Sequence, residues 1–278
     1  MKKSAFAIVL FLLCHSAFSQ GKEKIKGSKI VTVEQKEVQE FETLEVSDNL
    51  EIFIIKGDKC SVEIEADDNL HDAIQIDEHG NSLMLSSAKD VTSSKKFSVR
   101  VTYTDNFKVL IAKNHSNITA LADISLDNFT FKSFDESKIY ANIKSKVFTL
   151  IANDKSKAEL NLKADVSTIE LSKNAQLKAL ISSGQLTFDM YQKTTAAIEG
   201  DVNDLKLRLD NNSNFAGKNF TAKNAEVTVE GYTSCSILVN TKIIIDASGK
   251  SEIQLYGDQK IEMKNFKENA TLYKKPTK

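Results

Sequence analysis

One proline (Pro276) and ten glycines in 278 residues exclude a proline-rich linker or a low-complexity disordered segment. Histidine is scarce as well. Of four, His15 falls in an N-terminal leader, and His71, His79 and His115 are scattered over polar turns. None has a partner at the spacing a zinc site requires, so all three read as solvated surface residues. Charge is nearly balanced, at a formal net of −1, with no basic patch; a nucleic-acid partner is therefore excluded. No stretch shows a sustained 3.6-residue period, so long helices are not expected. Beyond the leader, no apolar run is long enough to span a membrane.

Residues 1–19 read as a signal peptide. Lys2 and Lys3 form the basic start, Ala5 to Leu13 the apolar core, and Ala17-Phe18-Ser19 a cleavage site before Gln20. Cys14 follows the bulky Leu13 where lipid-processing sites need a small residue, so lipid attachment is not expected. Cleavage removes two lysines and no acids, which takes the formal charge from −1 to −3.

From Phe107 to Leu272 the chain repeats. A small residue recurs at Ser116, Ser137, Ser156, Ala175, Thr194, Ser213, Cys235, Ser251 and Ala270. Two positions after each stands an apolar residue, such as Ile139, Leu177 or Phe215. Six positions before stand Leu110, Phe131, Leu150, Ile169, Phe188, Leu207, Val229 and Ile245, with Lys264 breaking the column. Within each unit polarity alternates with period two, as in Ser137-Lys-Ile-Tyr-Ala-Asn-Ile143, which indicates strand. Units of about 20 residues are too short for two strands and a crossover helix. The remaining solution is a coil whose successive turns pair through the backbone: an all-β, parallel β-helix of about 19-residue coils. About nine coils at the usual strand spacing give a rod of roughly 40 Å. The small column lets the chain turn close to the core, where a hydroxyl can bond the turn's own amides. Ala175 and Ala270 occupy the slot without a hydroxyl, so a ladder of serine nucleophiles is not the reading.

The expected organisation is a polar leader over 20–40, mobile or a peripheral strand, and one β-helix domain over 41–273. Its irregular strands over 41–105 form wide first coils and an N-terminal β cap, the regular coils run over 106–273, and 274–278 is a polar tail. The cap protects an end that would otherwise template aggregation. Cys60 and Cys235, the cysteines beyond the leader, are expected to be free and buried. An exported compartment would allow a disulfide, but Cys235 lies several coils from Cys60.

Chemistry is sparse. Asp67-Asp68-Asn69 could hold calcium, but it lacks an EF-hand's glycine and distal glutamate and reads as an Asx-rich turn. Asp201, Asp204 and Asp210 are the carboxylates to test for glycoside chemistry, which needs two at a set separation. Asp201-Val-Asn-Asp204 is expected on an inter-coil turn, and the coils lack the insertions that would raise a substrate cleft. Tyr140, Tyr191, Tyr232 and Tyr256 could mark a binding face but share no outward column. No catalytic, cofactor or metal residue is assigned.

The succession Phe41-Glu-Thr-Leu-Glu-Val46, Leu50-Glu-Ile-Phe-Ile-Ile-Lys-Gly57, Val62-Glu-Ile-Glu65, Asp68-Asn-Leu70 and Gly80-Asn-Ser-Leu-Met-Leu85 resembles the auto-transporter adhesin head (GIN) domain family of exported proteins, common in Bacteroidetes. Ala247-Ser-Gly-Lys-Ser-Glu-Ile253 and Leu255-Tyr-Gly-Asp258 agree with it. The resemblance covers roughly Phe41 to Asp258 and implies a right-handed parallel β-helix at the envelope or outside the cell, without established catalytic residues. The expected function is non-enzymatic: adhesion or envelope scaffolding, with glycans or surface proteins as partners. The alternatives are a carbohydrate-active β-helix enzyme and an accessory or sensor protein of an envelope system.

Overall fold

Lys157–Leu171 shows how one coil is made. Ala158, Leu160, Leu162 and Ala164 point inward, and the lysines, glutamate and asparagine between them face solvent. The alternation slips by one at Asp165-Val166, where two successive outward residues turn the chain onto a second flank; Ser167, Ile169 and Leu171 then point inward. The same slip occurs at Lys146-Val147 and Asn203-Asp204. Each coil is thus two flanks, a corner between them and a closing turn. The computed structural model describes residues 21–277 as a β-solenoid of about nine turns, with coils about 19 residues apart. The expected signal peptide lies outside the described residues.

The N-terminal part comprises β1 (Lys24–Lys26), β2 (Val31–Glu37), β3 (Thr43–Val46), β4 (Glu51–Lys56), β5 (Ser61–Asp67), a 3-10 segment (Asp68–Ala73), β6 (Ile74–His79), β7 (Ser82–Ser87), β8 (Asp90–Ser93) and β9 (Phe97–Tyr103). The regular part comprises β10 (Val109–Ala112), β11 (Asn117–Ala120), β12 (Ile124–Ser125), β13 (Asn128–Ser133), β14 (Lys138–Ala152), β15 (Lys157–Leu171), β16 (Gln176–Tyr191), β17 (Thr195–Asp210), β18 (Asn214–Val229), β19 (Ser234–Ala247), β20 (Glu252–Tyr256), β21 (Lys260–Phe266) and β22 (Thr271–Lys274). All pairings from β10 onward are parallel. β3 lies between β7 and β10, and β4 between β9 and β11, so the N-terminal strands continue both flanks. β6 on β7, β5 on β9 and β2 on β5 are antiparallel and close that end. The polar 20–40 segment contributes β2, on β5, and also β1, which pairs with β8.

The inward column is dry: Leu110, Phe131, Leu150, Ile169, Phe188 and Leu207 are each at most 1% exposed. Phe41, Phe107, Phe129 and Phe148 form a chain of ring contacts at 5.5–6.4 Å that joins the cap to the first regular coils. Strand register corrects the expected columns late in the chain. Leu207 pairs with Val227, not Val229, and Phe215 with Cys235. The small column therefore runs through Thr233, and Cys235 belongs to the apolar one. The cause is a β-bulge in β18 at Gly217-Lys218, opposite Ile198 of β17, which absorbs one extra residue. Likewise Ile245 pairs with Met263, and Lys264 is the residue bulged out before Asn265.

Seven closing turns place one left-handed residue at the same point, whereas Gln192-Lys193 and Asn211-Asn212 each have two in succession. Asn114, Asp135, Asp154, Lys173, Gly231, Gly249 and Glu268 stand two positions before the small residue, with φ between 55° and 75°. Asparagine, aspartate and glycine tolerate this left-handed region best. The small residue's N–H closes the turn, as from Ser137 to Phe134 O at 3.2 Å and Ser156 to Asn153 O at 3.2 Å. Its hydroxyl bonds carbonyls and not the expected amides: Ser137 Oγ donates to Phe134 O at 2.7 Å. Ser116, Ser156, Thr233 and Ser251 have no partner for theirs among the described residues. Smallness, not the hydroxyl, is what the position requires.

Ile169→Ala is expected to cost about 2–5 kcal/mol in denaturant unfolding, the usual range for a dry core aliphatic. Gly249→Ala is expected to lower stability by about 1–2 kcal/mol, measured the same way. Its φ is 72°, and an added Cβ would lie 2.7 Å from Gly231 N. Lys173→Gly, at the same turn position with a φ of 58°, should be neutral or stabilising.

Candidate binding surfaces

Stacking places residues 19 apart in sequence directly above one another, so the surface is ruled in columns. Opposite charges often meet along them: Lys155 Nζ lies 2.9 Å from Glu136 Oε1, Lys173 Nζ 2.6 Å from Asp154 Oδ1, and Lys146 Nζ 2.7 Å from Asp127 Oδ2. The hydrogen bond from Lys155, and then its charge, hold the Glu136 carboxyl below its usual range. These pairs are solvent-exposed, so each adds little stability. Their effect is to leave the rod face neutral in sum but finely patterned.

Several depressions interrupt that face, including one of 810 Å³ at the corner beside Lys163 and Asp201 and two others. The first of those two is a groove of 930 Å³ between the 87–97 segment and the ridge of closing turns. Lys95 and Lys96 form its upper wall, with Asn114, His115, Asp135 and Lys155 on the opposite side. The second is a concavity of 740 Å³ on the first flank, where Tyr140, Asn142, Asn161 and Leu180 face outward. Asn161 Nδ2 donates to Asn142 Oδ1 at 2.7 Å across one coil step. Planar amides beside an exposed ring and an exposed leucine make an amphipathic patch.

The groove wall is fixed by Asp67, which sequence reasoning placed only in an Asx-rich turn. Its buried carboxylate accepts from the Lys29 N–H at 2.9 Å, from Lys95 N–H at 3.0 Å and from Lys96 N–H at 3.0 Å. Burial alone would raise its pKa. The backbone donors of Lys96, Lys95 and Lys29, with the Lys29 charge, outweigh burial and hold it below the usual value. Asp68 Oδ1 accepts from Ser28 Oγ, and Asn69 Oδ1 from Ser28 N–H at 2.8 Å. All three side chains therefore bind protein donors and tie the β1–β2 connection to the cap. Lys22 Nζ, 2.6 Å from Asp48 Oδ2, secures the other end of the groove wall.

The three carboxylates singled out for catalysis do not converge. Asp201 accepts from Ser182 Oγ at 3.0 Å at the end of the first flank, and Asp204 from Asn224 Nδ2 at 3.0 Å at the start of the second. Both lie inside β17 at the corner and not on an inter-coil turn, because the chain stays strand-paired through it. Asp210 closes the same strand, with its carbonyl accepting from Gln192 N–H at 3.2 Å. The histidines are equally separate. His71 Nε2 lies 2.8 Å from Thr32 Oγ1, His115 Nδ1 3.4 Å from Glu136 Oε2, and His79 ends β6. Among the described residues no three His, Cys, Asp or Glu side chains form a metal-binding group. Cys60 and Cys235 are free and buried, and burial pushes the Cys235 thiol up to about 12. The tyrosines stay apart: Tyr140 pairs with Glu159, Tyr191 with Asp210 and Tyr256 with Leu238, whereas Tyr232 sits in a turn.

Comparison with known proteins adds the following. The family described as "Putative auto-transporter adhesin, head GIN domain" matches residues 40–180 and 157–258. No curated protein matches at a significant level. An adhesin so described from Parabacteroides merdae superposes with a TM-score of 0.68 at 15% identity, covering 92% of this chain and all of that one. A second, from Parabacteroides distasonis, gives 0.66 at 13% identity, covering 90% of this chain and all of its own. A structure from the same organism described as a lipid-binding protein gives 0.59 at 11% identity, with 92% and 100% coverage. At these identities the likeness is one of fold. Among the described residues no helix is long and apolar enough to cross a membrane.

Asp67 contributes fully above the ordinary aspartate pKa of about 3.9 and loses its contribution as pH falls through its lower folded value. Protection of the Lys95 and Lys96 amides relative to their intrinsic exchange is therefore expected to fall as pH drops below the ordinary aspartate value, and at neutral pH in Asp67→Asn. Unchanged protection in Asp67→Asn would remove its assigned role in the groove wall. Cys235 should resist thiol reagents at neutral pH until the coil opens, read as modification under native and denaturing conditions.

Proposed function

The chain belongs to the auto-transporter adhesin head GIN domain family, and from that premise we propose that it is an exported, non-enzymatic protein that binds glycans or envelope and surface proteins through its outward columns. The observation that carries this reading is the groove along the turn ridge. Successive coils supply Asn114, Asp135 and Lys155 to one wall, and a cap segment pinned by Asp67 supplies the other. Such a wall presents donors and acceptors at the spacing of the coils, which suits a ligand that itself repeats. The leader with Lys2, Lys3 and an apolar core supports export.

Catalysis gains no support from the carboxylates, since Asp201 and Asp204 bind different neighbours on different flanks. The family and the neighbouring adhesins favour a binding role in the same way. One structural neighbour carries a lipid-binding description, but the inward columns here are packed dry and offer an acyl chain no interior seat.

A glycan array and surface-protein overlay with purified protein should give specific binding. Asp135→Lys with Lys155→Glu should weaken it about tenfold or more, the usual loss for charged contacts. Protease treatment of intact cells should remove the protein if it is surface-exposed. Polysaccharide cleavage or elimination that is lost in Asp201→Ala or Asp204→Ala would overturn the binding reading in favour of an enzyme.

A further inference from the structure

The two ends of the solenoid are unlike and complementary. At the C-terminal end, β21 pairs only with β19 and β22 only with β20, so each presents a free strand edge. Ile261, Met263 and Phe266 continue the inward column positions of Ile243, Ile245 and Ala247, yet Met263 is 46% exposed and Phe266 42%. No further coil covers them among the described residues. At the N-terminal end, β2 pairs only with β5 and β6 only with β7. Val33, on β2, is 61% exposed.

The free edges lie on the same two flanks. One flank runs β2, β5, β9, β4, β11 and on to β20 and β22. The other runs β6, β7, β3, β10 and on to β19 and β21. A copy translated along the solenoid axis therefore brings β22 to β2 and β21 to β6 together. β2 runs antiparallel to β5, which is antiparallel to β9, so β22 would meet β2 in parallel; β6 is antiparallel to β7, so β21 would meet it antiparallel. Charge fits this arrangement. The C-terminal edges carry Lys260, Lys264 and Lys274 in excess over Glu262, whereas β2 and β6 carry Glu34, Glu37, Asp77 and Glu78 against Lys36. Tail against tail or head against head would oppose like charges.

We infer that this surface pair docks a second copy of the chain, head to tail, by joint strand-edge addition on both flanks. The contact is heterologous and does not close on itself, so it propagates into linear stacks. The charged edges, which ordinarily block indiscriminate strand pairing, select this one orientation.

Sedimentation of the purified protein over a concentration series should show masses rising in whole-protomer steps at low salt and falling back at high salt. Glu34→Lys with Glu37→Lys reverses β2, and Lys274→Glu reverses its partner β22, while β21 and β6 keep their unlike charges. Each variant alone should associate at least tenfold more weakly, and an equimolar mixture should recover association, because β22 of one variant then meets β2 of the other with opposite charges. Melting curves of both variants check that they fold. Wild-type protein that remains monomeric at every concentration and salt level would overturn the inference. So would a closed tail-to-tail dimer, failure of the mixture to associate, or recruitment of the lysine-rich tail to anionic vesicles with no self-association.

Discussion

Parallel pairing of each coil with the next requires every coil to bring the chain back within one strand spacing of its start. No hairpin can do this, so the path length per coil is nearly fixed. The ladder runs even through the turns: Lys157 N–H donates to Ser137 O at 2.9 Å, and Gln176 N–H to Ser156 O at 2.9 Å. To keep that ladder, the closing turn must reverse tightly, which sets both the positive φ and the small residue after it. The coil from Leu207 to Val227 is one residue longer than the coil before it, and the excess is taken up in a bulge so that inward residues stay inward.

The same constraint shapes the surface. Outward side chains cannot choose their neighbours; they meet whatever stands 19 residues away. Lys155 above Glu136 and Lys173 above Asp154 show unlike charges meeting in this way, whereas Lys157 stands above Lys138. Regular columns form concavities such as the one around Tyr140 and Leu180, but a two-walled groove needs something irregular to overhang them. The groove beside the turn ridge exists because the 87–97 segment is held away from the coils by Asp67 and Lys22. Regular coils supply one wall and the irregular cap the other.

Most of the fold was legible in the sequence, because a dry column repeats whatever its identity. Phe131, Leu150, Ile169, Phe188 and Leu207 are unrelated in shape and share only position. Legibility failed where the period broke. Val229 and Cys235 have the residue types their expected columns wanted, and only the backbone pairing assigns those columns to Val227 and Thr233 instead. It left β1 and β2 open between a mobile leader and a peripheral strand, since their charged sequences bury little and are strands through tertiary pairing. The binding surface was least visible. Asp67 supports it through backbone amides from segments 28 and 38 residues away, and no local pattern records such contacts.

The asymmetry between a closed N-terminal end and a stack of independent coils has a mechanical meaning. Each coil is held by its two neighbours only, so tension applied at Lys274 loads one strand ladder at a time. The coils then release one after another, each feeding roughly 60–70 Å of slack at the usual extended length per residue. Tension applied at the N-terminal side first meets β2, which is held by β5, and then β5, which is held on both sides by β2 and β9. The molecule is a spool that unreels from its C-terminal end one coil at a time.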